Sequence, residues 1–232
     1  MNICLLMMGG SGIRFGADRP KQFITIKSKP IFAYILDGLN QSEHIDKIIV
    51  VAHGEWLDFV EEWKERINAY KVYKIISGGS TRSESVKNGL IAAAEIANDS
   101  DIVLIHDATH PYVDIKSMGE IVKAVKKYGA ATMVQRQYDT CYCIDENDMI
   151  TSVTPRQFVV SGASPEAFMF GDIYKIYINA SRNELDLMTS AGAIALAHGI
   201  QMKVITLQTI NLKITYPRDM EILEQIPEFF FT

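Results

Sequence analysis

The stretch Leu5 to Phe23, LLMMGGSGIRFGADRPKQF, runs from an apolar segment into glycines at 9, 10 and 12, then past two cations, Arg14 and Lys21. Glycines directly after a buried strand let the main chain approach a ligand and turn its N–H groups outward as an anion nest, whose natural occupant is phosphate. A guanidinium that grips two oxygens and a point-charge ammonium around one triphosphate suit a reaction in which negative charge grows at a phosphorus under attack. A solvated, glycine-rich surface turn would use the same residues, so the stretch alone leaves both readings open. Neither standard phosphate motif fits. The pattern G-x-x-x-x-G-K-[ST] fails because Lys21 follows Pro20 rather than a glycine. The dinucleotide fingerprint G-x-G-x-x-G fails because Gly16 falls one residue late and Arg14 stands where helix packing should begin.

The elements that must position these residues are legible as short apolar runs at 3–8, 47–52, 72–76, 101–106, 130–134 and 202–207. Runs of that kind are strands buried on both faces and predict a mostly parallel sheet. Between them, residues 55–70 place Trp56, Phe59, Val60, Trp63 and Ile67 at helical spacing, and similar helices fit 83–97 and 115–128. Strand and helix alternate as in a three-layer α/β sandwich, whose ligands lie at the carboxyl ends of the strands. Functional residues are therefore expected just after the apolar runs. From 136 to 163 the alternation lapses into a polar, weakly periodic stretch around the turn-prone Asp-Glu-Asn-Asp, which reads as a projecting β-arm on a single domain spanning 1–232. Such a segment serves as a lid or a dimer contact. A lone hairpin is marginal in water, so the arm predicts a homodimer.

Four further stretches, GGSTRSESVKNGL (78–90), IHDATHP (105–111), SPEAF (164–168) and NLKITYPRDM (211–220), complete a series with the opening one. In this order and over nearly the whole chain, the series resembles the nucleotidyltransferases that activate polyol phosphates with CTP. That family includes the methylerythritol phosphate, ribitol phosphate and glycerol phosphate cytidylyltransferases. The resemblance implies a Rossmann-like sandwich with an arm that builds a homodimer. It places Met8, Gly9, Gly10, Gly12 and Arg14 in the loop that holds the CTP phosphates, with Lys21 as the essential lysine, and sets Gly79 and Ser85 at the cytosine with Arg82 close by. Read without the family, Ser85 fits a helix-start hydroxyl capping free N–H groups equally well.

Asp107 closes an apolar run, where a carboxylate can hold Mg²⁺ against nucleotide phosphates, touch the ribose, or cap a helix. His106 reads as structural, because a preformed phosphate nucleophile has no proton to lose. Arg156 and Lys213 match the family's second pair of catalytic cations, and Asp139 with Thr140 match a pair that contacts the acceptor across the dimer interface. His110 stands where an arginine is common, Glu166 ends a Ser-Pro-Glu in place of Thr-Pro-Gln, and Thr189 is followed by Ser190 rather than Asp. These departures fall on the acceptor side, so the expected reaction is CMP transfer from CTP to a ribitol-, glycerol- or similar alditol phosphate, with Mg²⁺. Methylerythritol phosphate is the alternative acceptor, and a nucleotide-binding protein without catalysis is the alternative of another class. A nicotinamide dehydrogenase is disfavoured by the failed glycine spacing.

Bulk properties agree. The 232 residues, 48% hydrophobic and 22% charged, suit one core. A net charge of -5 argues against a broad nucleic-acid surface, so a polyanion must be met by a local cluster of cations. Cys4, Cys141 and Cys143 match neither a zinc knuckle nor a redox Cys-x-x-Cys. No stretch approaches the ~20 apolar residues of a membrane span, and no basic region precedes the first apolar run, so the expected location is the cytoplasm.

Overall fold

A computed structural model describes residues 1–10 and 19–225. Gly12 and Arg14 of the phosphate-binding stretch, and the aromatic tail at 228–232, lie outside the described residues.

Strand β1, Asn2–Met8, is apolar at every position after its first and is buried from Ile3 to Met8. It pairs in parallel with β4, Lys47–Ala52, on one side and with β6, Ile102–Asp107, on the other. Its side chains alternate between two cores. Cys4, Leu6 and Met8 join the core beneath α1 (Ile31–Gln41), α2 (Leu57–Arg66) and α4 (Ile115–Tyr128). Ile3, Leu5 and Met7 join the core beneath α3 (Arg82–Ala93), α5 (Phe170–Asn179) and α7 (Ala191–Ala197). The period of two along a strand builds the three layers. Gly89 of α3 permits close approach here, since a Cβ would stand 3.0 Å from Leu5 and 3.1 Å from Val51.

The central sheet has seven strands, completed by β5 (Val72–Ser77), β7 (Ala130–Arg136), β10 (Val160–Met169) and β11 (Lys203–Thr206), in the order β11-β7-β10-β6-β1-β4-β5. It is mostly parallel, as expected, except that β10 runs antiparallel to both β6 and β7. The apolar-run reading missed β10 because its first half, Val-Ser-Gly-Ala-Ser, is polar and its register shifts between Gly162 and Glu166. Two expected boundaries also move. The helix over 55–70 begins as a 3-10 turn at Gly54–Trp56 and ends at Arg66, after which Asn68 takes a positive φ of 51°. The arm is shorter than 136–163, because Arg136 belongs to β7 and Val160 to β10.

The arm itself is the hairpin β8 (Cys141–Ile144) with β9 (Ile150–Thr154), a separate two-stranded sheet. Its turn is tied by Asp145 Oδ1, which accepts the Asn147 and Met149 N–H groups at 2.9 and 3.0 Å. It exposes Tyr142, Ile144, Met149, Ile150 and Val153, and Phe158 at its base is 83% exposed. A second small hairpin, β2 (Thr25–Ile26) with β3 (Lys29–Pro30), follows the Lys21 turn. α6 (Arg182–Leu187) and α8 (Pro217–Gln225) complete the chain.

Candidate active site

The carboxyl ends of β1, β4, β5 and β6 open on one side of the sheet, and a cavity of about 540 Å³ lies over them. Met8, Gly9 and Gly10 form its floor where β1 ends. Their main chain is held from below by Gln22, whose Nε2 donates to the carbonyls of Met8 and Gly10, both at 2.9 Å. Gln22 is buried, and the next residue, Phe23, is fully buried and stacked on Trp56 with ring centroids 4.6 Å apart and planes 10° from parallel. The aromatic stack thereby fixes the short helical turn Lys21–Phe23 and presents Lys21 to the cavity. Lys21 Nζ donates to the carbonyl of Ile214, tying this turn to the segment that carries Lys213.

A second wall comes from the turn between β5 and α3. Thr81 caps α3 by accepting the Glu84 N–H, and Glu84 reaches back to the Ser80 N–H at 2.7 Å. The cap is therefore Thr81, not Ser85. Ser85 Oγ instead accepts the Gly79 N–H at 3.0 Å and donates to the Thr81 carbonyl at 2.9 Å, holding the turn against the cavity it lines. Gly79 must be glycine here, since a Cβ would fall 2.3 Å from the Glu84 side chain.

Arg82 and Asp107 meet across the cavity's edge. Arg82 Nε and Nη2 lie 3.2 and 2.9 Å from the same oxygen, Asp107 Oδ1, while Asp107 Oδ2 lies 4.0 Å from Lys213 Nζ. Burial opposes charge on Asp107, yet Arg82 and Lys213 outweigh it and hold the carboxyl below the ordinary range. Burial likewise opposes the guanidinium, but Asp107 and Glu166 raise the Arg82 pKa. Among the described residues Asp107 caps no helix: Asp114 caps α4 by accepting the Ser117 N–H at 3.1 Å. The Lys213 segment is pinned by Ile214 N–H to the Thr109 carbonyl at 2.9 Å, and by Asp219 Oδ2, which accepts the Thr215 and Tyr216 N–H groups at 2.7 and 2.8 Å.

Of the residues singled out in the sequence and described, the cavity gathers Met8, Gly9, Gly10, Lys21, Gly79, Arg82, Ser85, Asp107 and Lys213. It does not gather the rest. Arg156, Asp139 and Thr140 are exposed on the arm, where Arg156 donates to the Tyr138 carbonyl, and Thr189 is exposed ahead of α7. His110 turns inward and is only 7% exposed. Burial, the neighbouring His106 and the lysine Lys213 lower its pKa to about 3, and burial lowers that of His106 to about 4. Among the described residues neither His106 Nε2 nor His110 Nδ1 has a hydrogen-bond partner. Sequence reasoning passed over Gln22, His53, Thr109 and Thr215, which also line the cavity. Gln22 stood within the quoted Pro-Lys-Gln-Phe, and a polar amide between a cation and a buried aromatic was the available signal.

The family model for IspD, 2-C-methyl-D-erythritol 4-phosphate cytidylyltransferase, matches residues 3–228. The chain belongs to this family. It is accordingly a CTP-dependent nucleotidyltransferase. A ribitol-5-phosphate cytidylyltransferase of Vibrio parahaemolyticus is 29% identical over 97% of this chain and 95% of its own. A 2-C-methyl-D-erythritol 4-phosphate cytidylyltransferase of Clostridium acetobutylicum is 34% identical over 97% of each. The crystal structure of the 4-diphosphocytidyl-2C-methyl-D-erythritol synthase of Anaerococcus prevotii has the same fold, with a TM-score of 0.80 at 22% identity over 96% of this chain and 94% of that one. Family membership excludes the nicotinamide alternative. Among the described residues, no helix is long and apolar enough to cross a membrane.

Proposed function

We propose that this cytidylyltransferase transfers CMP from CTP to an alditol phosphate, ribitol 5-phosphate foremost, to give a CDP-alditol and pyrophosphate. The observation that carries the reading is the convergence of Lys21, Lys213, Arg82 and Asp107 on the cavity above the glycines that end β1. A phosphate oxygen of the acceptor attacks the α-phosphorus of CTP in line, the bond to the β-phosphate breaks, and pyrophosphate leaves with the electron pair. The nucleophile is already ionised, so no side chain need remove a proton, and the lysines contribute by alignment and charge neutralisation. Main-chain N–H groups of the Gly9–Gly10 turn cradle phosphate oxygens, Arg14 adds a guanidinium from the same loop, and the turn at Gly79 and Ser85 receives the cytosine.

Among the described residues no group of three or more His, Cys, Asp or Glu could hold a metal. Mg²⁺ does not need one, since it binds through one or two carboxylates plus substrate phosphates. Asp107 fits that role, with Oδ1 taken by Arg82 and Oδ2 turned toward Lys213 beside the cavity. Bound there, the ion would offset charge on the triphosphate.

The exposed apolar face of the arm supports a homodimer in which a second copy brings Arg156, Asp139 and Thr140 to the acceptor side. Ribitol phosphate is favoured because the Vibrio parahaemolyticus relative is named for it. Methylerythritol phosphate is the second reading, favoured by the Clostridium acetobutylicum relative. Pyrophosphate release from CTP and Mg²⁺ with a panel of ribitol, glycerol, arabinitol and methylerythritol phosphates decides between them. Fastest turnover of methylerythritol phosphate overturns the alditol assignment.

A further inference from the structure

Glu166, expected near the acceptor, sits behind Arg82 instead. Its two carboxylate oxygens are held by main-chain donors at the start of α7: the Ala191 N–H reaches Oε2 at 3.1 Å and the Gly192 N–H reaches Oε1 at 2.8 Å. Oε2 also lies 3.8 Å from Arg82 Nη2, and the side chain is only 14% exposed. The same Nη2 is 2.9 Å from Asp107 Oδ1 on the other side. One guanidinium is thus suspended between two carboxylates, and charges alternate from the α7 amides through Glu166, Arg82 and Asp107 to Lys213.

We propose that Glu166 is a positioning residue that acts through Arg82 to keep one oxygen of Asp107 available to the nucleotide. An arginine facing a lone carboxylate favours the two-pronged fork, which occupies both oxygens. Here Nε and Nη2 converge on Oδ1 alone, and Oδ2 is left to the cavity side. Glu166 supplies the opposing pull, and its two amide bonds stop it from following the guanidinium. Glutamine at this position would lose the charge, and its amide nitrogen would confront one of the two N–H donors. Gly192 belongs to the arrangement, because a Cβ there would stand 2.6 Å from Glu166 Oε1.

The inference rests on the reading that Asp107 faces the nucleotide, and the experiment separates the two. CTP binding is measured by calorimetry with and without Mg²⁺, alongside kcat, KM for CTP and melting temperature. The proteins are the wild type, Glu166→Gln, Glu166→Asp, Arg82→Gln and the Glu166→Gln/Arg82→Gln double variant. Glu166→Gln is expected to weaken CTP binding about tenfold, and to have no further effect once Arg82 is gone. Glu166→Asp, which keeps the charge, recovers part of the loss. Should Glu166→Gln fail to fold, Gly192→Ala serves: alanine favours the helix, so weakened CTP binding in that variant reports the displaced carboxylate. CTP affinity unchanged by Glu166→Gln or, in its place, Gly192→Ala, or an equal loss with and without Arg82, overturns the inference alone. Wild-type protein that does not bind CTP overturns the functional reading and the inference with it.

Discussion

Replacing Gln22 with methionine keeps the length and most of the volume of the side chain and removes the two N–H donors that hold the β1 turn. The Met8 carbonyl is buried and loses its side-chain partner, which costs about 1–3 kcal/mol. Gly10 is exposed, so its carbonyl turns to water and the loss there is nearer about 1 kcal/mol. The sum is about 2–4 kcal/mol, and for a chain of this size each kcal/mol moves the melting temperature by roughly 2–4 °C. A fall of about 4–16 °C is therefore expected by calorimetry or circular dichroism. Function should suffer separately, because the same amide fixes the carbonyls flanking Gly9, whose N–H belongs to the proposed phosphate cradle. Since misplacement by about 1 Å can cost two orders of magnitude, KM for CTP should rise at least about tenfold in a pyrophosphate-release assay below the melting range. Gln22→Glu should be worse than Gln22→Met, because it sets a carboxylate against two carbonyls with nothing to donate. A Gln22→Met protein that melts within about 1 °C of the parent and keeps its KM for CTP refutes the claim that this amide organises the turn.

Lys21→Ala should lower kcat by roughly 10²–10³-fold, as loss of a charge aimed at the reacting phosphate does, with a small drop in melting temperature from the freed Ile214 carbonyl. Near-normal turnover would remove Lys21 from the mechanism. Metal-free protein should lose stability as pH falls below about 6.5, because the unfolded chain then takes up protons that folded His106 and His110 refuse until about pH 4 and 3. Each histidine contributes up to about 1.4 kcal/mol per pH unit in that window, and urea midpoints equal at pH 7 and 5 would contradict it. Phe158→Asp should shift the mass measured by light scattering from dimer to monomer and abolish turnover while CTP still binds. A variant that stays dimeric and active places the interface elsewhere.

The sequence was most legible where burial is two-sided. The strands β1, β4 and β6 are apolar at nearly every position because both faces are covered, and they emerged within a residue of their observed bounds. β10 did not, because Ser164 and Glu166 point their polar groups at the site, to the Asp107 N–H and toward Arg82 respectively. The property that hid the strand is the one that makes it useful. A similar conflict governed the site. Glycines, Lys21 and Asp107 announce themselves by type and by their place after an apolar run, whereas Gln22 and Glu166 are hydrogen-bonded to groups 12 to 26 residues away. No local pattern encodes such a bond.

The arm shows the same limit one level higher. Its residues Asp139, Thr140 and Arg156 are polar or charged, and in one chain they face solvent, outside the cavity. Among the described residues, nothing covers Ile144, Met149, Ile150 or Val153 either. An exposed apolar hairpin and a set of solvent-facing polar groups at its root are two features that one event, the docking of a second copy, would satisfy together. A site divided between copies should lose acceptor turnover on dilution below the dimer's dissociation constant while each chain retains CTP. Activity per chain that stays constant through the point where light scattering reports monomer would show that a single copy holds the whole site.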